Sequence, residues 1–191
     1  SGVGNTMRSS AWLAAAVAGM QSNDTMTGVR VNLRVPGTWT GPSAGGMICL
    51  AILSALEGRK LPTDFAFTGA ILPDGTIGPV GGLIEKLHAA KRNGISRVFI
   101  PSHLRFESDS RTKDPLDLRA LATQLDLEVI PVENIDQTYR LLALESAAAF
   151  ADYAVAESQA VSTISRRVFR APIAPKLIGR DVALEIVETT L

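Results

Sequence analysis

One stretch limits what this chain can fold into more than any other. Residues Thr40-Gly41-Pro42-Ser43-Ala44-Gly45-Gly46 run directly into Met47-Ile48-Cys49-Leu50-Ala51-Ile52-Leu53-Ser54-Ala55-Leu56, which is apolar at nearly every position. Its length suits a helix, and a helix that is apolar on all sides belongs inside a core. The Gly-Pro turn then delivers Ser43 to the first turn of a buried rod. Backbone N–H groups lack partners there, and the helix dipole favours negative charge. Such a position suits an alkoxide or an oxyanion. Gly41, Gly45 and Gly46 carry no side chains, so another chain can approach the backbone around the serine closely.

The surrounding segments alternate helix and strand. Asn5 to Met20 reads as helix, and Val29, Val31, Leu33 and Val35 alternate with polar residues as a half-buried strand does. Gly37 to Pro42 forms the loop into Ser43, and Gly58 ends the central helix. Phe65 to Leu72 reads as one strand, and Pro73-Asp74-Gly75 as the turn of a hairpin returning to Val80. Gly81-Gly82 opens a helix that runs to about Asn93, with Gly94 as its C-terminal stop. A short strand at Val98-Phe99-Ile100 follows, then a polar, loop-like stretch from Ser102 to Lys113. A helix over Leu116 to Gln124, a strand over Leu127 to Pro131 and a helix from Ile135 complete this region. From about Glu145 the character shifts. Ala147 to Ala160 is alanine-rich and helical, and Arg166 to Pro175 is interrupted by proline. These patterns predict an α/β (α+β) domain over residues 1–145 and a helical C-terminal extension over 146–191.

The 191 residues, 46% of them apolar, suffice for one domain with a real core. Equal numbers of basic and acidic residues, 19 each, give a net charge of zero, which argues against a nucleic-acid surface. No run is long and apolar enough for a membrane span. Ala11 to Met20 lacks the basic flank and cleavage site of a signal peptide, so a cytoplasmic location is expected, with secreted or periplasmic placement left open. Cys49, the single cysteine, forms no internal disulfide and reads as a small core residue.

Ser43 alone proves little, because serine is a common helix cap. Its companion is Lys86, whose helical neighbours three and four positions away are Gly82, Leu83, Ala89 and Ala90, all small or apolar. Glu85, His88, Lys91 and Arg92 take the wet faces, so Lys86 points to a packed side. Burial lowers a lysine's pKa, and a neutral amine beside a serine can take its proton. The plainer reading is a lysine whose stem covers the core while its amine reaches water. Thr68 is a further candidate: its hydroxyl can accept a hydrogen bond from the amine, or it is simply a β-branched residue chosen for packing.

Together, Gly41-Pro42-Ser43-Ala44-Gly45, Thr68-Gly69, Gly81-Gly82-Leu83-Ile84-Glu85-Lys86-Leu87 and the Gly94-to-Pro101 segment resemble the proteolytic domain of Lon proteases (peptidase S16). The similarity runs from about Gly4 to Leu144, and the intervals from Ser43 to Thr68 and to Lys86 are those of that family. The resemblance implies a fold of the ribosomal-protein-S5-like type and a serine endopeptidase with a Ser-Lys dyad. Ser43 would be the nucleophile, Lys86 the general base and Thr68 the lysine's partner. Gly41, Pro42, Ala44 and Trp39 would form the oxyanion and substrate loop. No metal or cofactor is needed. The substrate would be an unfolded protein or peptide, and Lon-type domains assemble into rings, so a homo-oligomer is implied.

Some residues depart from the family. Thr40 stands where an acidic residue usually precedes Gly-Pro-Ser, and Ala70 where a glutamate usually follows Thr-Gly. The loop from Pro36 to Gly41 is shorter than usual, and the family's leading hairpin has no counterpart before Ser1. A pocket without those two carboxylates is expected to be less acidic, easing deprotonation of Lys86. No Gly-x-x-x-x-Gly-Lys-Ser/Thr loop is present in the sequence, so ATP-driven unfolding would need an ATPase domain from elsewhere. Three other readings compete. The Gly-x-Ser-x-Gly elbow of α/β-hydrolases requires a strand running straight into the serine and a partner histidine, with only His88 and His103 on offer. A small-molecule kinase of the galactokinase type would use Gly45-Gly46 as a phosphate cradle. A non-catalytic Lon-like assembly or interaction module would need neither Ser43 nor Lys86.

Overall fold

The computed structural model describes residues 4–22, 29–34, 41–108 and 114–142, with short strand segments at 168–169, 176–177, 180–181 and 183–188. In chain order, helix α1 covers Asn5–Ser22, strand β1 Val29–Arg34, helix α2 Gly45–Leu56, strand β2 Phe65–Phe67, strand β3 Ala70–Ile71 and strand β4 Ile77–Gly78. Helix α3 (Leu83–Arg92), strands β5 (Arg97–Pro101), β6 (Phe106–Ser108) and β7 (Pro115–Asp117), helix α4 (Leu118–Gln124) and strand β8 (Glu128–Val132) follow. Residues 135–142 form helix α5. Strands β9 (Val168–Phe169), β10 (Lys176–Leu177), β11 (Arg180–Asp181) and β12 (Ala183–Glu188) lie beyond it.

The apolar segment is the central helix. Every residue of α2 from Gly45 to Ser54 is buried, and α1 packs against it with Met7, Ala14, Val17 and Ala18 turned inward. Cys49 sits fully inside, where burial pushes its thiol up to about 12 and makes it an inert core residue.

A three-stranded parallel sheet, in the order β2-β5-β8, separates two apolar clusters. The period of two along a strand assigns the sides. Phe65, Phe67 and Phe99 face α1, α2 and α5, with the Phe65 and Phe99 rings edge to face at 5.6 Å. Ala66, Val98 and Ile100 face the second cluster, which contains Leu83 and Leu87 of α3 and Leu118 and Leu121 of α4. Helices on both faces of a parallel sheet define the α/β class that the sequence predicts.

Two local expectations need correction. Phe65 to Leu72 is not one strand. It divides at Thr68-Gly69 into β2, parallel to β5, and β3, antiparallel to β4. The division occurs because the Gly69 N–H donates to Ser43 O (3.0 Å) and its carbonyl accepts from the Gly46 N–H (3.1 Å), so those groups leave the sheet for the serine turn. The Asp74-Gly75 hairpin forms as expected, with Gly75 at φ 84° and the Thr76 N–H donating to Asp74 Oδ1. The stretch from Ser102 to Lys113 is not only loop. Phe106–Ser108 pairs with Pro115–Asp117 as an antiparallel ladder, and Asp117 then caps α4 through the N–H groups of Arg119 and Ala120.

The described residues of the 146–191 extension are strands, not helix. β12 pairs antiparallel with all six residues of β1 and, on its other edge, with β9. Ala183-Leu184-Glu185-Ile186-Val187-Glu188 alternates apolar and acidic residues, which is a strand pattern. The alanine-rich stretch 147–160 lies outside the described residues. Among those residues, no helix is long and apolar enough to cross a membrane.

Candidate active site

The segment that delivers Ser43 is a tight turn. The Gly45 N–H donates to Pro42 O at 2.9 Å, and the buried Ser10 hydroxyl of α1 donates to the same carbonyl at 3.2 Å. Ser43 therefore sits just ahead of α2 and not in its first turn, and Ala44 takes the N-cap position with no side-chain cap. Ser43 does not occupy the N-cap position, where a serine is most simply explained.

The glycines of this segment serve internal packing. A methyl at Gly46 would enter the Phe67 ring, one at Gly45 would meet Ser10 and Ile71, and one at Gly69 would meet Ile77. Gly45 and Gly46 let α2 sit directly on the β2–β3 junction, a tighter role than the expected approach of another chain. Gly41 has open space around it and, with Pro42, is exposed.

Lys86 lies in the first turn of α3, which starts after Gly82 in the left-handed region at φ 70°. Its amine donates to Thr68 Oγ1 at 3.0 Å and to the Gly81 carbonyl at 2.8 Å. Thr68 is buried, and Lys86 is half-buried. Burial of the amine pulls Lys86 below its ordinary value of 10.5, against the opposing pull of the Glu107 and Glu85 carboxylates.

Thr68 and Lys86 are therefore in direct contact, and the next residue, Gly69, is hydrogen-bonded to the backbone of Ser43. Ala44 is buried. Trp39 and Thr40 lie outside the described residues. His88 and His103 are both exposed. Ser10 and Glu107 escape the sequence reading. Ser10 looks like any helix-surface serine, and Glu107 sits in a polar stretch with no periodicity to betray its direction. The pocket is also less depleted of acid than Thr40 and Ala70 suggest, because Glu107 places a carboxylate by α3 from elsewhere: its Oε2 accepts from the Ile84 N–H at 2.9 Å.

A helix-end serine turn laced to a strand junction, with a half-buried lysine held at that junction, fits the serine-type endopeptidases built on a Lon-like domain. Residues 2–145 match the family described as Lon protease (S16) C-terminal proteolytic domain, and the chain belongs to that family. It is 41% identical over 101 residues to Lon protease of Escherichia coli strain K12, covering 53% of this chain and 12% of that protein. The figures are the same for Lon protease of Vibrio parahaemolyticus. Lon protease 2 of Borreliella burgdorferi is 35% identical over 131 residues, 63% of this chain and 16% of its own length. The chain thus spans well under a fifth of these relatives.

Proposed function

We propose that this protein is a serine endopeptidase that hydrolyses peptide bonds in unfolded chains with a Ser43–Lys86 dyad, and does so without ATP as the chain stands. The observation that carries this reading is the hydrogen bonding of the Lys86 amine to Thr68 Oγ1 and Gly81 O. A neutral amine has two N–H bonds and one lone pair. With both N–H bonds directed to those oxygens, the lone pair is left for the serine proton. Desolvation shifts the balance towards the neutral form, since it disfavours the ammonium.

In this mechanism Ser43 Oγ attacks the scissile carbonyl as its proton passes to Lys86 Nζ. The N–H groups of Gly45 and Gly46 are already engaged by Pro42 O and Gly69 O, so the oxyanion falls to the N–H groups of Ser43 and Ala44 at the positive end of α2. The Lys86 ammonium then returns the proton to the leaving amine. In the second half, Lys86 takes a proton from water, the hydroxide attacks the Ser43 ester, and the Lys86 ammonium returns that proton to Ser43 Oγ as the acid product leaves.

The same reading includes an extended substrate bound by strand addition near Gly41 and Pro42, with Trp39 in the same loop. It also includes a homo-oligomeric assembly, an ATPase module supplied from elsewhere, and no role for nucleic acid or membrane. A cytoplasmic setting is part of the proposal. A fluorophosphonate probe tests the nucleophile. The wild type is expected to gain the mass of one phosphonyl group and Ser43→Ala none, with labelling of Lys86→Met slowed by about a hundredfold or more at neutral pH. Equal labelling of wild type and Ser43→Ala would remove Ser43 from the role.

A further inference from the structure

We propose that Glu107 is a positioning residue for the Lys86 amine: from the neighbouring β6–β7 hairpin it clamps the first turn of α3 and sets the electrostatic field in which the amine works. The inference rests on the dyad reading above.

Helix α3 begins without a side-chain cap of its own, because its N-cap residue is Gly82. A helix start leaves backbone N–H groups unpaired, and one is usually satisfied by a local serine, threonine or aspartate. Here the acceptor comes from 23 residues further along the chain. Glu107 Oε2 takes the Ile84 N–H at 2.9 Å, two residues before Lys86. The other carboxylate oxygen lies beside Gly81, about 4.0 Å from where a Cβ on that glycine would sit. Gly81 supplies the carbonyl that accepts from Lys86 Nζ. One carboxylate therefore binds the helix turn that bears the amine and lies close to the strand-to-helix linker that accepts its hydrogen bond.

The hairpin gives Glu107 a fixed direction. Glu107 pairs with Leu116 in the ladder, and its neighbours Phe106 and Ser108 are exposed while Glu107 is half-buried, as alternation along a strand requires. Asp117, at the hairpin's end, caps α4 and accepts from Arg105. The same short ladder thus orders the starts of two helices.

The charged groups acting on the amine are Glu107 from β6 and Glu85 from α3 itself; the β2–β3 junction contributes the neutral Thr68 hydroxyl. Both carboxylates favour the ammonium, against burial. Removing the Glu107 charge is therefore expected to move the Lys86 titration to lower pH.

The test is the titration of Lys86 by NMR on lysine-labelled protein, with the resonance assigned by its loss in Lys86→Arg. Amide exchange at Ile84 is followed in the same samples. Glu107→Gln keeps an acceptor but no charge. It is expected to lower the Lys86 midpoint while the Ile84 amide stays protected. Glu107→Ala removes both and is expected to lower the midpoint and speed Ile84 exchange by roughly fivefold or more, the loss of a helix cap. A midpoint unchanged from wild type in both variants overturns the proposal, as does Ile84 exchange unchanged in Glu107→Ala. The wild-type midpoint judges the dyad separately. If it sits at the ordinary lysine value, Lys86 is no base at neutral pH, while the difference between wild type and Glu107→Gln still decides whether Glu107 acts on it.

Discussion

At the scale of single residues, Lys86 carries the clearest consequence. Its pKa in the folded protein is below the ordinary 10.5, with burial as the leading cause. The unfolded chain then binds more protons than the folded one between the two values, so stability rises with pH in that window. The burial penalty is complete below the folded value, shrinks as pH climbs from there, and is gone above 10.5. Lys86→Met has no such group. Wild type is therefore expected to gain stability relative to Lys86→Met as pH is raised towards 10.5 and to gain nothing more above it, as urea unfolding at a series of pH values would show. A difference independent of pH would mean that the amine is as well solvated in the folded state as in the unfolded one. Ser43, Thr68 and Lys86 are legible in the sequence because each sits in a short motif at a defined interval. Glu107 is not, because its direction depends on a ladder between 106–108 and 115–117 that no local pattern announces.

At the scale of elements, the contact between α2 and the β2–β3 junction decides how well the serine turn is held. Gly46 lies against the Phe67 ring, and its N–H reaches Gly69 O. Gly46→Ala overfills that contact and should cost about 1–3 kcal/mol, read as a lower denaturation midpoint with an unchanged m-value. An undiminished midpoint would show that Phe67 yields without strain. The long, uniformly apolar α2 and the Asp-Gly hairpin could be placed from sequence because periodicity and turn chemistry are local. The division of Phe65 to Leu72 at Thr68-Gly69 could not. Its cause is a tertiary exchange of backbone hydrogen bonds with Ser43 and Gly46, and strand propensity through Phe67-Thr68-Gly69-Ala70 gives no hint of it.

At the scale of the whole molecule, β1, which precedes the serine loop in the chain, pairs with β12, which also lies beside α2. The sheet is thus completed by a strand far along the chain, a pairing invisible to any reading that divides the sequence at residue 145. A chain ending at Glu145 leaves β1 an unpaired edge. Its Tm is expected to fall by about 5 °C or more, and an unchanged Tm would mean that the β1–β12 ladder contributes nothing to the fold. The central claim is that Ser43 and Lys86 together break peptide bonds, and cleavage of an unstructured protein without nucleotide tests it most directly. Wild type, Ser43→Ala and Lys86→Ala are compared after circular dichroism has shown all three folded. The wild type should cut, with both variants slower by about a hundredfold or more. Equal cutting by all three, or none by the folded wild type, would contradict the dyad and leave the fold as an assembly or interaction module.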